Sequence, residues 1–147
     1  MKQGIQTTFK DEKLRKWGCY FFTLLRWSEI LRNKWLKQSI ADGGQEFEFT
    51  DDEIINLYKT CEERGWVEGN CFIVNPVEIM NHCNNFQTFR TVYHSKGMPH
   101  TDYFPIYLKK PSIGHFVLGN RDGIVWDSWE PSAKSQGFPI DGYRVLR

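Results

Sequence analysis

The sequence predicts an α+β domain, because helical patterns occupy its first half and strand patterns occupy its last third. Apolar residues recur at helical spacing from Gly18 onward, whereas aromatic and β-branched residues dominate after residue 85. Helices and strands do not alternate, so a parallel βαβ sheet is not expected. The 147 residues, 40% hydrophobic and 16% aromatic, are enough to form one core, and we expect a single domain over residues 1–147.

A long and mostly buried helix is predicted to begin in "GCYFFTLL", residues 18–25. Apolar side chains cover much of the helical cylinder, which is typical of a helix enclosed by the rest of the domain. The Asp-Gly-Gly sequence of residues 42–44 predicts the end of this helix or the turn after it.

Two shorter helices have recognisable caps. Thr50 with Glu53 three residues later has the form of a capping box, and Gly65 predicts the end of that helix. Asn-Pro at residues 75–76 predicts the start of the next helix. Between them, Gly-Asn at residues 69–70 predicts a turn before a short strand.

The segment "GHFVLGNRDGIVWDSWEP" predicts a β-hairpin, because two apolar runs flank a Gly-Asn-Arg-Asp-Gly turn. If residues 119–123 form the loop, Leu118 faces Ile124 and His115 faces Asp127. Directly opposed residues have Cβ atoms about 4.5–5.5 Å apart, which allows an imidazole to carboxylate hydrogen bond. A register slip of one residue would place the two side chains on opposite faces.

These two residues and Cys19 are candidates for nucleophilic catalysis. A cysteine at a helix N-terminus is expected to have a lowered pKa, and Gly18 before it leaves room for a substrate backbone. A histidine held by a carboxylate can take and return a proton. Each residue alone has an ordinary interpretation: Cys19 as a small buried hydrophobe, His115 as a polar strand residue, and Asp127 as the acceptor for a turn amide.

Composition argues against several other classes of function. Nineteen basic and 18 acidic residues leave a formal charge of +1, so we expect neither nucleic acid nor a membrane surface as a partner. No apolar stretch approaches the roughly 18 residues of a membrane span, and the start lacks the apolar part of a signal peptide, so a cytoplasmic location is expected. The four cysteines are expected to be reduced thiols, and no metal site or cofactor is predicted. The oligomeric state stays open.

Four short motifs resemble the papain-like cysteine peptidases, especially the subgroup related to double-glycine bacteriocin-processing peptidases. They are "GCYFFTLL", "GHFVL", "RDG" and "VWDSWEP". The middle segment "GWVEGNCFIVNPVEI" also resembles a poorly characterised bacterial and phage family with a similar "GCYF" helix. The resemblance implies a papain-like domain in which Cys19 is the nucleophile, His115 the general base and Asp127 the orienting acid. It implies acyl transfer on an amide or thioester.

One expected element of this family is missing. The family places a glutamine about six residues before the cysteine to complete the oxyanion hole, and Lys13 stands there in this chain. Gln6 and Gln3 lie farther upstream, and Gln6 is the candidate oxyanion residue. Loss of one oxyanion donor typically slows an enzyme about 100- to 1,000-fold, so the departure bears on activity more than on fold.

The predicted substrate-contacting residues are Gly18, Gly114, Trp126 and Trp129, and the expected partner is a peptide or a peptidoglycan-like substrate. Aromatic side chains of this kind are more often core residues than ligand contacts. Two other functions stay open: a catalytically weak or inactive papain-like module that binds a peptide or glycan, and a structural or assembly protein.

Overall fold

The structure is a computed structural model, and it describes residues 1–39 and 46–147. Four α-helices and seven β-strands occur in these residues, so the predicted α+β class is confirmed. The helices are α1 (Glu12–Trp17), α2 (Cys19–Ser39), α3 (Asp51–Glu63) and α4 (Pro76–Cys83). The strands are β1 (Val67–Glu68), β2 (Phe72–Ile73), β3 (Val92–Ser95), β4 (Phe104–Lys110), β5 (Ile113–Asn120), β6 (Gly123–Trp126) and β7 (Ile140–Leu146).

The long helix α2 begins at Cys19, as predicted. Gly18 forms its boundary with α1: its N–H donates to the Leu14 carbonyl, and its carbonyl accepts from the Phe22 N–H. The predicted end at residues 42–44 lies outside the described residues. None of the helices within the described ranges, α2 included, is long and apolar enough to cross a membrane.

Helix α1 was not predicted from the sequence. Its N-cap is Asp11, whose carboxylate accepts from the Leu14 N–H at 2.9 Å. The helix has six residues, and its apolar positions are too few to produce a clear helical period.

The caps predicted for α3 and α4 are confirmed. Thr50 and Glu53 exchange both bonds of a capping box, and Gly65 follows the helix with a φ of 72°. The Asn75 side chain accepts from the Glu78 N–H, and Pro76 is the first residue of α4. Between the two helices, β1 and β2 form a small antiparallel hairpin.

A five-stranded antiparallel sheet has the order β3-β7-β4-β5-β6, and hydrophobic side chains pack on both of its faces. Helix α2 packs against β5 and contributes Phe21, Phe22, Leu24, Leu25 and Trp27 to one core, here called the helix-face core. Residues 127–139 cover the opposite face, where a second cluster, here called the outer core, lies between them and the sheet. The outer core contains Phe104, Ile106, Leu108, Val117, Ala133 and Tyr143, with Trp129 and Phe138 packed on it.

The β5–β6 hairpin is present, but the predicted register is wrong. Residues 121–122 form the turn, and a register shift follows just after Leu118, so that Leu118 pairs with Trp126 and not with Ile124. Strand β6 ends at Trp126, and Asp127 therefore lies beyond the paired region. A bulge adds a residue to one strand, which a count of loop residues does not reveal.

Candidate active site

His115 and Asp127 are joined by a buried hydrogen bond. His115 Nε2 lies 2.6 Å from Asp127 Oδ1, and the two residues are 0% and 2% exposed. Asp127 Oδ1 also accepts from the Trp129 N–H, and Oδ2 accepts from the Ala133 N–H, both at 2.8 Å. We assign the proton of the neutral imidazole to Nε2, because the carboxylate only accepts. Nδ1 is buried, has no partner, and retains its lone pair.

Trp129 covers this pair. Its ring stacks on the imidazole of His115 with 3.6 Å between centroids and 21° between planes. The stacked indole excludes water from the His115–Asp127 bond, which strengthens the bond in its low-dielectric surroundings. Trp129 lines a shallow pocket with Arg15 and Gln136, outside the cleft that contains Cys19. A substrate contact of Trp129 stays a prediction.

The N-terminal segment holds the loop that carries Asp127. The Asp127 N–H donates to Gln3 Oε1 at 2.7 Å, and the Gly4 N–H donates to the Asp127 carbonyl at 3.0 Å. The Gln6 N–H donates to the Ser128 carbonyl at 2.9 Å, and the Ser128 hydroxyl donates to Gln6 Oε1 at 2.6 Å. The position of the carboxylate therefore depends on residues that lie more than 100 positions earlier in the chain.

Both ends of the Gln6 side chain are engaged within the protein. Besides accepting from Ser128, the amide donates from Nε2 to the Arg15 carbonyl at 3.1 Å, and the residue is 1% exposed. Lys13, at the position of the glutamine of the papain-like family, extends to Glu62 with 3.2 Å between Nζ and Oε2. Neither side chain lines the cleft at Cys19. The oxyanion role of Gln6 stays a prediction.

Cys19 is partly buried at the start of α2. Burial raises the pKa of its thiol to about 11. The backbone N–H groups of Phe116 and Tyr20 lower this pKa, but by a smaller amount. The expectation of a lowered pKa is wrong, because desolvation of the thiolate outweighs these N–H groups. Among the hydrogen bonds of the described residues, none joins the Cys19 sulfur to the imidazole of His115.

Cys19 opens into a cleft of about 460 Å³ between the β1–β2 hairpin and the five-stranded sheet. The residues that line it are Trp17, Cys19, Tyr20, Cys71, Phe72, Ile73, Val74, Pro76, Val92, His94, Tyr107, Phe116 and Arg144. Trp126 is not one of them; it is 3% exposed and packs in the helix-face core, and its contact with substrate stays a prediction.

The two glycines of the predicted site have packing reasons to lack a side chain. A Cβ at Gly18 would lie 2.5 Å from the Leu14 carbonyl oxygen. A Cβ at Gly114 would overlap the hydroxyl of Tyr107. The protein's own atoms fill the space, and a substrate contact at either glycine stays a prediction.

Two residues of the cleft were missed by the sequence reasoning. They are His94 and Arg144, which β3 and β7 pair directly across the sheet. No local motif marks either residue, because only the strand pairing brings them together. Within residues 1–39 and 46–147, no group of three or more His, Cys, Asp and Glu side chains is arranged to hold a metal ion.

The fold and the site together define an α+β protein with a buried His115–Asp127 pair. Phe116, the residue after His115, lines the same cleft as Cys19. The family described as "Protein of unknown function, DUF261" matches residues 1–147. The chain therefore belongs to this family. No curated protein matches the chain, and neither does any solved structure.

Proposed function

We propose that this protein is a cytoplasmic cysteine hydrolase of papain-like fold that cleaves a peptide-like amide through Cys19, His115 and Asp127. The observation that carries the proposal is the buried His115–Asp127 bond, which leaves Nδ1 of the imidazole free as a base. The Thr23 hydroxyl also supports it, because it lies 2.8 Å from the Cys19 carbonyl and 3.2 Å from the carbonyl of Phe116, the residue after His115. The four cysteines are free thiols, in keeping with a reducing compartment.

In the proposed reaction, His115 Nδ1 takes the proton of the thiol while the sulfur of Cys19 attacks the carbonyl carbon. The tetrahedral intermediate collapses as the C–N bond breaks, and the leaving amine receives the proton from Nδ1. Water then attacks the thioester with His115 again as base, and the proton returns to the departing sulfur. Asp127 is the positioning residue that stabilises the imidazolium in both steps.

This route begins from a neutral pair. With the pKa of Cys19 raised to about 11, the thiol loses its proton during attack, and no stable thiolate precedes it. The first N–H groups of α2 have no acceptor within the helix, so the N–H of Cys19 is the proposed donor to the oxyanion.

The test is the hydrolysis of p-nitrophenyl acetate, followed by nitrophenolate absorbance and by intact-protein mass spectrometry. We expect an acetyl group on Cys19 that is later lost, and a rate about 100- to 10,000-fold lower in His115→Gln. Cys83→Ser is the matched control, because it removes another partly buried thiol. Equal hydrolysis by Cys19→Ser and the parent protein would refute the proposal.

A binding module for a peptide or glycan is the second candidate. It is favoured by the raised pKa of Cys19 and by the absence, among the described residues, of a hydrogen bond between its sulfur and His115. In that case the parent protein and Cys19→Ala would bind a ligand equally, and neither would release product from it.

A further inference from the structure

The cleft at Cys19 is apolar except at one end. Among the described residues that line it, Arg144 alone carries a permanent charge, and no acidic side chain lies among them. Burial, followed by the charge of Arg144, lowers the pKa of His94, which favours the neutral imidazole. The cleft therefore combines apolar walls with one fixed positive group.

The guanidinium of Arg144 has no ion-pair partner within residues 1–39 and 46–147. Its centre lies 5.4 Å from the ring centroid of Tyr107 and 5.2 Å from that of Phe116. Its hydrogen bond is a long one, 3.5 Å, from Nη1 to the carbonyl of Tyr143. The aromatic rings hold the planar group in place and leave most of its five N–H donors without an acceptor.

A second polar group in the same place also lacks a partner. The Tyr20 hydroxyl is buried without a hydrogen bond, and the Tyr20 ring stacks on Phe116 with 4.0 Å between centroids. The charge of Arg144 acts on Tyr20 by lowering its pKa, while burial raises that pKa more. The Tyr20 hydroxyl is thus a buried donor without an acceptor, which folded proteins seldom leave unsatisfied, and Tyr20 and Arg144 both pack on the ring of Phe116.

This end of the cleft is adjacent to the thiol. The ring of Phe116 lies beside Arg144, and its backbone N–H lies beside the sulfur of Cys19. The cleft is also lined by exposed apolar side chains, of which Phe72 is 68% and Val74 is 45% exposed.

We propose that Arg144 binds a carboxylate of the ligand, so that this cleft selects peptides with apolar residues next to one acidic group. A carboxylate matches the two parallel N–H donors of a guanidinium, and one unpaired arginine suits one such anion. The inference rests on the proposed function in taking this cleft as the substrate site, and it holds equally for binding without turnover.

The experiment is affinity selection with Cys19→Ala, which removes turnover from the readout. The probes are randomised pentapeptide libraries, acetyl-XXEXX-amide against acetyl-XXQXX-amide, and acetyl-XXXXX with a free carboxylate against the same library as an amide. Retained peptides are quantified by mass spectrometry. The first pair tests a side-chain carboxylate, and the second pair tests a C-terminal one.

We expect one carboxylate library to be retained about 10- to 100-fold more than its neutral partner, and this preference to vanish when Arg144→Gln is added. Arg144→Lys, which keeps the charge without the planar fork, should retain part of it. Arg90→Gln removes an equal charge at an exposed position outside the cleft and should change nothing. Thermal melts establish that each variant is folded.

Retention of no peptide, retention that ignores the carboxylate, or a preference that survives Arg144→Gln would each overturn the inference. Failure of the proposed hydrolase gives a different result. Acetyl-ester turnover would then be independent of Cys19, while the carboxylate preference in the binding assay would persist.

Discussion

The Cys19 sulfur has two kinds of neighbour with opposite effects on its acidity. Backbone N–H groups of Tyr20 and Phe116 stabilise the thiolate, whereas desolvation penalises it and is the larger effect. The start of a helix therefore does not by itself produce a reactive thiol, because the nearby N–H groups lower the pKa by less than the loss of water raises it. If the thiol of Cys19 loses its proton only while the sulfur attacks the substrate, no free thiolate has to exist in the buried site, and its desolvation cost is avoided.

The reaction of Cys19 with iodoacetamide should reflect its raised pKa. With a pKa of about 11, roughly one thiol in 10,000 is ionised at pH 7, and the rate should rise about tenfold for each pH unit up to pH 11. Peptide mapping by mass spectrometry assigns the modified residue, and Cys19→Ser provides the blank. A rate that levels off below pH 8 would instead indicate a thiolate–imidazolium pair.

Asp127 should be critical for stability as well as for activity. In Asp127→Ala, the N–H groups of Trp129 and Ala133 and the Nε2–H of His115 lose their acceptor. We expect the free energy of unfolding, measured in urea, to fall by about 3–5 kcal/mol. Asp122→Ala, at an exposed turn position, should change it by less than about 0.5 kcal/mol. Similar losses in the two variants would contradict this account.

The junction of α1 and α2 depends on the missing side chain of Gly18. Gly18→Ala would force a Cβ against the Leu14 carbonyl, whose oxygen lies 2.5 Å from the ideal position, and should lower the free energy of unfolding by about 1–3 kcal/mol. Gly97→Ala is the matched control, because no atom lies within 4 Å of its Cβ position. Urea titrations give the free energy of unfolding of both variants. Equal values would mean that the α1–α2 junction shifts to accept the Cβ without a loss of stability.

The elements that could be predicted from the sequence are those whose signals are local. The Thr50–Glu53 capping box and the start at Asn75-Pro76 each involve hydrogen bonds within a few residues, so the residue types suffice to identify them. The register of β5 and β6 could not be predicted in this way. It depends on a bulge and on packing between distant strands, and neither has a residue signature.

The candidate site was predictable only in part for the same reason. The order of Cys19, His115 and Asp127 indicated a possible group, and the contact between the last two exists, although Asp127 reaches it from beyond the end of β6. The cover by Trp129 and the place of Arg144 in the cleft follow from the arrangement of strands, and no spacing rule contains that information.

The five-stranded sheet is closed on one side by helices and on the other by residues 127–139, and the N-terminal segment links the two. Gln6 is the central link, since it bonds both the Arg15 carbonyl and the Ser128 hydroxyl. Its stability contribution should therefore exceed that of an ordinary polar residue.

Gln6→Ala should lower the free energy of unfolding by about 1–3 kcal/mol, because two buried polar partners are left without a bond. Gln87→Ala replaces an exposed glutamine and should have almost no effect. The two variants are compared by chemical denaturation. If Gln6→Ala leaves stability unchanged, water or a neighbouring group replaces the lost bonds.

The bonds between residues 3–7 and residues 127–130 also bear on the order of events during biosynthesis. Gly4, Gln6 and Thr7 find their partners 122–123 residues later in the chain. Residues 4–7 must therefore wait until residues 127–130 have been made, and contacts of such long sequence separation form slowly. We expect the nascent chain to stay open to proteases and chaperones until translation has passed residue 130, and the candidate catalytic pair to form only then.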